Sequence, residues 1–318
     1  MSWWQGEQLA LALAATYHGD RVVALVVSVL SRGSAIPVAW HLLPANRKGR
    51  WLPDERRLRR ILGPAISAHW TALVVTDRGL WSPALWRDLH ELGWHPLMRV
   101  RGETTFAPAG ATRLPTKRLV AGPGHAWVGR GVAFKHADHR QAGTLLVVWE
   151  VGQADPWLIL TDLPPEQIGG CWYGLRRWIE LGFRALKGVG WNWEGTRRTD
   201  PARIARHWLV LAVATLWVLA HGTRAEDAVA LGRDPAHLRV PPELTLPIPR
   251  RPLSVFLRGR RLLAWLLPPG RRWTRLWLRP QPWPTPNPTL PIPIHAPPPS
   301  VLPLFSQRLG EGWRVARA

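Results

Sequence analysis

The chain has 318 residues, 46% hydrophobic and 20% charged, which is enough to bury one large core or two smaller ones. Its 42 Lys and Arg against 21 Asp and Glu give a formal charge of +21. That excess favours a polyanionic partner, above all a nucleic acid, over a role as a free metabolic enzyme. The single cysteine excludes an intrachain disulfide framework and a zinc site built from several cysteines.

Neither the N-terminus nor the apolar runs predict a secreted or membrane protein. The opening MSWWQGEQ has an acid and no basic stretch, unlike a secretory signal. The apolar run at residues 208–220 has 13 residues, fewer than the roughly 20 that span a bilayer. We therefore expect a cytoplasmic protein that contacts DNA and no membrane.

The first part of the chain alternates strand and helix patterns. Two β-rich runs, residues 9–16 and 22–30, flank a polar turn and predict a hairpin, and residues 35–43 predict a third antiparallel strand. A helix is predicted to begin at Pro53, and its apolar face consists of Leu58, Ile61, Leu62 and Ile66. A buried strand follows at residues 72–76. The next predicted elements are a helix that Ser82 caps and that ends near Gly93, and a strand at residues 95–101. This order predicts an α/β fold with helices on both faces of a mixed sheet.

The patterns change after residue 101. Residues 102–169 lack helical periodicity and contain short strand-like runs, such as 145–150 and 157–161, so we expect an inserted, mostly antiparallel β region. Helical periodicity returns at residues 170–188. A second helix begins with Asp200 as its N-cap and is predicted to end near residue 221.

The C-terminal part has an unusual composition. From residue 241 onward it holds 18 of the 32 prolines, and twelve Arg against two acids. Such a segment does not form a core, and we expect it to be extended or disordered. Its basic part, residues 250–279, is either a non-specific DNA-binding arm or a solvated tail without a role.

Asp77 is the first candidate functional residue. It follows a continuously apolar strand, and ligands gather at the carboxyl ends of such strands. The alternative is an aspartate that only caps a helix or shapes a turn.

Four polar residues form the second candidate site. On one continuous helix, Tyr173, Arg176, Glu180 and Lys187 fall within an arc of about 60°. A carboxylate among cations and a phenol suits a metal held against phosphates, since Glu ligates the metal and Arg and Lys bind phosphate oxygens. The alternative is a solvated helix face with one Arg–Glu pair.

These four residues resemble a known signature. The spacing Tyr-(2)-Arg-(3)-Glu-(6)-Lys is similar to that of one group of bacterial insertion-sequence transposases, which belong to the DDE superfamily with an RNase H-like core. The surroundings of that family's second catalytic aspartate resemble the segment VVTDRGLWSPALWRDLHELGWHPLMRVRG. The hairpin after the family's first catalytic strand resembles the segment SVLSRGSAIPVAWHLLPA. The resemblance covers roughly residues 9–221.

The resemblance implies a chemistry and a domain organisation. It implies two magnesium or manganese ions held by carboxylates, with Asp77 and Glu180 as catalytic metal ligands and Tyr173, Arg176 and Lys187 as DNA contacts. It also implies a homodimer on DNA. The expected divisions are residues 1–101 for the first part of the catalytic core, 102–169 for a β-rich insertion domain, 170–222 for the core helices, and 223–318 for a linker and largely disordered tail.

The sequence departs from the family at the first catalytic aspartate. The family pattern leucine-alanine-leucine-aspartate-alanine-threonine aligns with residues 11–16, where Ala14 takes the aspartate's place. Asp20 lies six residues further on, roughly 20 Å along an extended strand, and is not a substitute. Only thirteen residues precede Ala14, fewer than the family's N-terminal DNA-binding region needs, so we expect a truncated and impaired transposase.

Three further interpretations stay open at this stage. The chain could be a catalytically inactive DNA-binding remnant of a transposase, or a general polyanion-binding or ribosome-associated protein. Within the family interpretation, Trp127 is either the aromatic group that holds a flipped base or a core residue.

Overall fold

The structure is a computed structural model that describes residues 4–45, 51–168, 170–230, 254–267 and 278–279. Its strands are β1 Gln8–His18, β2 Val22–Ser31, β3 Ser34–Pro44, β4 Thr71–Thr76, β5 His95–Arg99, β6 Thr105–Pro108, β7 Leu114–Pro115, β8 His125–Ala133, β9 Gln141–Trp149 and β10 Trp157–Thr161. Its α-helices are α1 Leu52–Leu62, α2 Pro83–Glu91, α3 Gly170–Gly174, α4 Arg177–Arg184, α5 Pro201–Ala230 and α6 Val255–Leu266.

The chain divides into two compact units. The first comprises the described residues within Met1–Ala72 and Leu175–Pro282, and the second comprises those within Leu73–Gly174. The boundary therefore falls inside β4.

The first unit contains the predicted three-stranded antiparallel sheet in the order β3-β2-β1. Ala14 lies opposite Val26 in the β1–β2 pair, and a register shift between Val27 and Ser28 marks a bulge in the β2–β3 pair. The predicted hairpin and third strand are thus confirmed.

Two helices cover one face of this sheet. Alternate residues of β2, Val22, Ala24 and Val26, pack in one cluster with apolar side chains from the α4 and α5 regions. That cluster includes the large side chains of Trp193 and Trp208. A face composed of Val and Ala leaves room for these indole rings, which bury a large apolar area.

Helix α1 begins near Pro53, as predicted, but its buried face differs from the prediction. Leu58 and Leu62 are buried, whereas Ile61 is 57% exposed. Buried charged residues take part of that face, with the Asp54 carboxylate 2.8 Å from the ring of His41. The apolar pattern alone did not show this, because buried charges are retained only where a partner is present.

Helix α5 begins where Asp200 predicted it. The Asp200 carboxylate accepts a hydrogen bond from the Arg203 backbone N–H at 2.7 Å. The helix continues to Ala230, past the predicted end near residue 221.

Helix α6 lies in the segment that we expected to be extended or disordered. Its residues Leu262 and Leu266 pack with Ala225 of α5 in a small buried cluster. Gly222 of α5 and Gly259 of α6 allow the two helices to approach closely, since a Cβ on either would meet backbone atoms of the other helix. The rest of the predicted tail, apart from residues 278 and 279, lies outside the described residues.

Among the described helices, α5 has the length and composition of a membrane span. Its window Pro201–Asp227 has 27 residues and a mean hydropathy of 1.5, so it is longer than the apolar run that we judged too short. Half of the apolar window is buried inside the protein, and core helices of soluble proteins pass the same test.

The second unit contains a mixed sheet in the order β4-β5-β10-β9-β8-β6-β7. The β4–β5 pair is parallel, and the remaining pairs with a described register are antiparallel. Helix α2 between β4 and β5 starts as predicted, with the Ser82 hydroxyl accepting from the Leu85 N–H at 3.0 Å. Mixed strand pairing with helices confirms the predicted α/β class and is consistent with an RNase H-like fold.

The helix predicted over residues 170–188 is interrupted. Helix α3 ends at Gly174, residues 175–176 form a turn, and α4 passes into a π-helical turn at Ala185–Val189. The expectation that Tyr173, Arg176, Glu180 and Lys187 share one continuous helix is therefore wrong. Glycines at 170, 174, 182, 188 and 190 weaken helix propensity along this stretch, and a uniform 100° rotation ignores such breaks.

Candidate catalytic and DNA-binding site

Ala14 lies on the helix-covered face of the first unit. It is 7% exposed and stands directly opposite Val26. Directly opposite residues of an antiparallel pair project to the same face, and Val26 packs towards the α4 and α5 regions. The methyl group of Ala14 therefore faces these helices and offers no ligand atom.

Helix α4 carries Glu180 in its first turn. Its buried side consists of Trp178, Ile179 and Gly182, which leaves the Glu180 side chain 61% exposed. The Arg176 guanidinium lies 2.7 Å from the Glu180 carboxylate in an i, i+4 ion pair. The structure thus brings together one predicted carboxylate and one predicted DNA-binding cation.

Lys187 lies in the π-helical turn after α4, at the end of β1. Its ammonium group donates to the Tyr17 carbonyl at 2.6 Å and pairs with the Glu194 carboxylate at 3.1 Å. The sequence analysis missed Glu194. Glu194 follows Lys187 by seven residues and lies in a separate 3-10 turn at residues 193–196. Extending the helical pattern beyond Lys187 therefore could not predict the position of the Glu194 side chain.

Asp77 follows β4 at the carboxyl end of the parallel β4–β5 pair. Its carboxylate accepts from the Arg78 N–H at 2.7 Å, and its carbonyl accepts from the Leu80 N–H at 3.0 Å. These bonds are those of a turn aspartate, which was the alternative interpretation. They leave carboxylate acceptor capacity for other donors, so turn formation and a functional role are compatible.

Tyr173 occupies a different environment from the one that we expected. It is 3% exposed, its ring contacts Trp157 edge-on at 5.4 Å, and its hydroxyl donates to the Thr76 carbonyl at 3.3 Å. Because Thr76 immediately precedes Asp77, Tyr173 holds the end of β4 rather than facing solvent.

The predicted site residues are divided between the two units. Ala14, Arg176, Glu180 and Lys187 belong to the first, and Asp77 and Tyr173 to the second. The convergence of Asp77 with Glu180 stays a prediction.

Trp127 has the environment of a core residue. It is 5% exposed and its ring meets Phe106 edge-on at 5.8 Å. Gly129 leaves space for the indole, since a Cβ there would lie 2.7 Å from the Trp127 ring. This environment favours the core interpretation over a base-holding role.

The donor set for a divalent metal is incomplete. Within the part of the chain that the structure describes, no three His, Cys, Asp or Glu side chains are grouped so as to hold a metal ion. Asp77 and Glu180 offer oxygen ligands, but Ala14 offers none where the family resemblance implies a third carboxylate. The residues present therefore do not fit the complete metal site of the family.

Comparison with known proteins identifies the family. A family model described as transposase DDE domain matches residues 52–217, more than half of the chain, and this range includes Asp77, Glu180 and Lys187 but not β1. No curated protein matches the chain. The match implies DNA as substrate and a divalent metal as the usual cofactor of the family. The chain belongs to the DDE transposase family and has a transposase-type function.

Proposed function

We propose that the chain is an insertion-sequence transposase for DNA cleavage and strand transfer at element ends, and that this activity is impaired. The observation that carries the proposal is Ala14, buried on the helix-facing side of β1 where the family pattern has an aspartate. β1 precedes the residues that the family model matches, so the alignment of Ala14 rests on the resemblance of residues 11–16 and on this geometry.

The proposed catalytic residues are Asp77 and Glu180, with magnesium or manganese as the proposed cofactor. Asp77 is fixed by the turn after β4, and Glu180 is exposed on α4. Two carboxylates leave the family's ligand set incomplete, and we therefore assign no reaction step to a metal in this chain.

Arg176 and Lys187 are the proposed DNA contacts. Arg176 binds a carboxylate at 2.7 Å and Lys187 binds one at 3.1 Å, and this ability to hold an anion supports the proposal. Phosphate oxygens are the equivalent anionic acceptors on DNA. For Tyr173 we propose a positioning role at the end of β4, because its hydroxyl is buried against the Thr76 carbonyl.

The second candidate function is a catalytically inactive protein that binds DNA as a transposase remnant. The incomplete donor set among the described residues favours it. It differs from the first candidate in a single measurable property, which is metal-dependent cleavage.

We also propose that the protein acts on DNA as a homodimer and that it is cytoplasmic. We further propose that the catalytic core consists of residues 1–101 and 170–222, with an insertion domain at residues 102–169. Support for these comes from the family membership and, for the insertion, from strands β6 to β10.

The test is a nicking assay on DNA fragments that flank the gene on either side, with magnesium or manganese. We expect the natural chain to bind but to cleave poorly, Ala14→Asp to gain cleavage, and Ala14→Asp/Glu180→Gln to lose it again. Strong cleavage by the natural chain would contradict the impairment. DNA binding without cleavage by Ala14→Asp would establish the remnant instead, and an absence of DNA binding would exclude both functions.

A further inference from the structure

A group of four arginines lies in the first unit, just after Glu194. Arg197, Arg198, Arg203 and Arg206 are all exposed. Among the described residues, none of their guanidinium groups has an ion pair or a hydrogen bond. We call these four residues the arginine cluster.

The two acids in the same stretch do not neutralise this cluster. The Glu194 carboxylate pairs with Lys187 at 3.1 Å. The Asp200 carboxylate caps α5 by accepting from the Arg203 backbone N–H at 2.7 Å. Residues 194–206 therefore carry four cations against two anions, and both anions are engaged elsewhere.

The charge of the cluster also acts on a neighbouring group. Burial lowers the pKa of His207, and the positive charge of Arg198 lowers it further. The His207 ring is therefore close enough to the cluster to be affected by the positive charge of Arg198.

The cluster adjoins the proposed DNA contact at Lys187. The Arg197 backbone N–H donates to the Glu194 carbonyl at 3.2 Å, and the side chain of the same Glu194 binds Lys187. Arg203 and Arg206 are one helical turn apart, so their side chains leave α5 on one side. A charged surface thus continues from Lys187 through Arg197 to the start of α5.

We propose that the arginine cluster is a second DNA-binding surface, which holds the phosphate backbone without reading sequence. Guanidinium groups bind phosphate oxygens through two parallel hydrogen bonds, and such contacts fix the position of DNA rather than its sequence. The proposal rests on the DNA-binding function proposed above, and extends it to residues beyond the family signature.

The experiment measures binding of a short fluorescein-labelled DNA duplex by anisotropy between about 50 and 200 mM KCl. The test variant is Arg203→Gln/Arg206→Gln. The matched control is Arg57→Gln/Arg60→Gln, which removes the same charge from two exposed arginines at the same spacing on α1. We expect the slope of log affinity against log salt to fall by about 1.8 for the test variant, from roughly 0.9 per phosphate contact, and little for the control.

A second variant, Arg197→Gln/Arg198→Gln, leaves α5 untouched and is expected to reduce the slope in the same way. Equal slopes for test and control variants would overturn the proposal, since total charge would then explain binding. If Arg176→Gln/Lys187→Gln reduced the slope while both cluster variants behaved like the control, the cluster proposal alone would fail. No binding by the natural chain would overturn it together with the proposed function.

Discussion

The Glu194 carboxylate forms an ion pair with the ammonium group of Lys187. We propose that this ammonium group binds a DNA phosphate. The pair is partly exposed, with 29% of the Lys187 and 41% of the Glu194 side chain accessible. An exposed pair contributes up to about 1 kcal/mol, and DNA must displace it to reach Lys187. We therefore expect Glu194 to compete with the phosphate for the Lys187 ammonium group.

We predict that Glu194→Gln tightens DNA binding, by up to about fivefold at low salt, and steepens its salt dependence by about one phosphate contact. Anisotropy titrations measure both quantities. The control is Asp155→Asn, which breaks a similar exposed pair with Lys117 at 2.7 Å in the second unit. We expect the double variant Lys187→Gln/Glu194→Gln to show no gain in DNA affinity. A gain that persisted in the double variant would show that the effect of Glu194→Gln does not come from freeing Lys187.

His95 makes the stability of the second unit depend on pH. Its ring nitrogen lies 2.8 Å from the Asp162 carboxylate, and this hydrogen bond raises the pKa of His95 despite partial burial. His90 approaches the same carboxylate at 3.6 Å. A raised pKa means that the stabilisation is complete below the ordinary histidine pKa of about 6.5 and is lost as pH rises through the folded-state pKa.

We predict that His95→Gln lowers the free energy of unfolding by about 1 kcal/mol at pH 6, and by less at pH 9. Urea denaturation across this range measures the difference. His69→Gln is the control, because that ring bonds the Ser67 hydroxyl at 2.8 Å instead of a carboxylate. A difference between His95→Gln and the natural chain that is constant with pH would contradict the prediction.

At the residue scale, the sequence predicted contacts between near neighbours better than contacts between distant residues. The ion pair of Glu180 with Arg176 follows from their i, i+4 spacing, which is a local property. The burial of Tyr173 depends on Trp157 and Thr76, which are distant in the chain, and no periodicity encodes such contacts.

Helix α4 lies close to β3 at Gly182. A Cβ on Gly182 would stand 2.6 Å from the Cβ of Ala35, well inside van der Waals contact. This close approach sets the position of the helix that carries Glu180.

We predict that Gly182→Ala destabilises the first unit by about 1 to 3 kcal/mol, because overpacking outweighs the gain of about 1 kcal/mol in helix propensity. The control is Gly188→Ala in the π-helical turn, where a Cβ would meet nothing within 4 Å. Urea denaturation compares the two variants. A Gly182→Ala protein as stable as the control would mean that α4 shifts freely on the sheet.

At the element scale, predictions succeeded where the signal is local. Ser82 and Asp200 cap α2 and α5 as expected, and the polar turn after β1 gives the hairpin. Helix α6 was missed because the surrounding prolines dominated the composition, although its buried residues Val255, Phe256, Leu262 and Leu266 recur with a helical period.

For the whole molecule, the formal charge of +21 indicated a polyanionic partner, and the family match agrees with DNA as the substrate. Charge alone does not separate a transposase from another DNA-binding protein. The spacing from Tyr173 to Lys187 made that distinction, although its geometric interpretation as one helix was wrong.

The consequence of Ala14 for the whole site is testable by restoring the carboxylate. Ala14 is buried on the helix-covered face of the first unit, so Ala14→Asp places a charge where the natural chain has none. We predict that it lowers the stability of the metal-free protein by about 1 to 3 kcal/mol, through desolvation and repulsion between like charges. Magnesium or manganese should then raise the melting temperature of the substituted protein more than that of the natural chain, because a ligand that binds only the folded state stabilises it. Paired thermal melts with and without metal measure these shifts. The control is Ala15→Asp, which places a carboxylate outside the site, because Ala15 pairs with Leu25 and projects from the other face of β1. Equal metal-induced shifts in the Ala14→Asp protein and the natural chain would show that position 14 does not belong to the metal site.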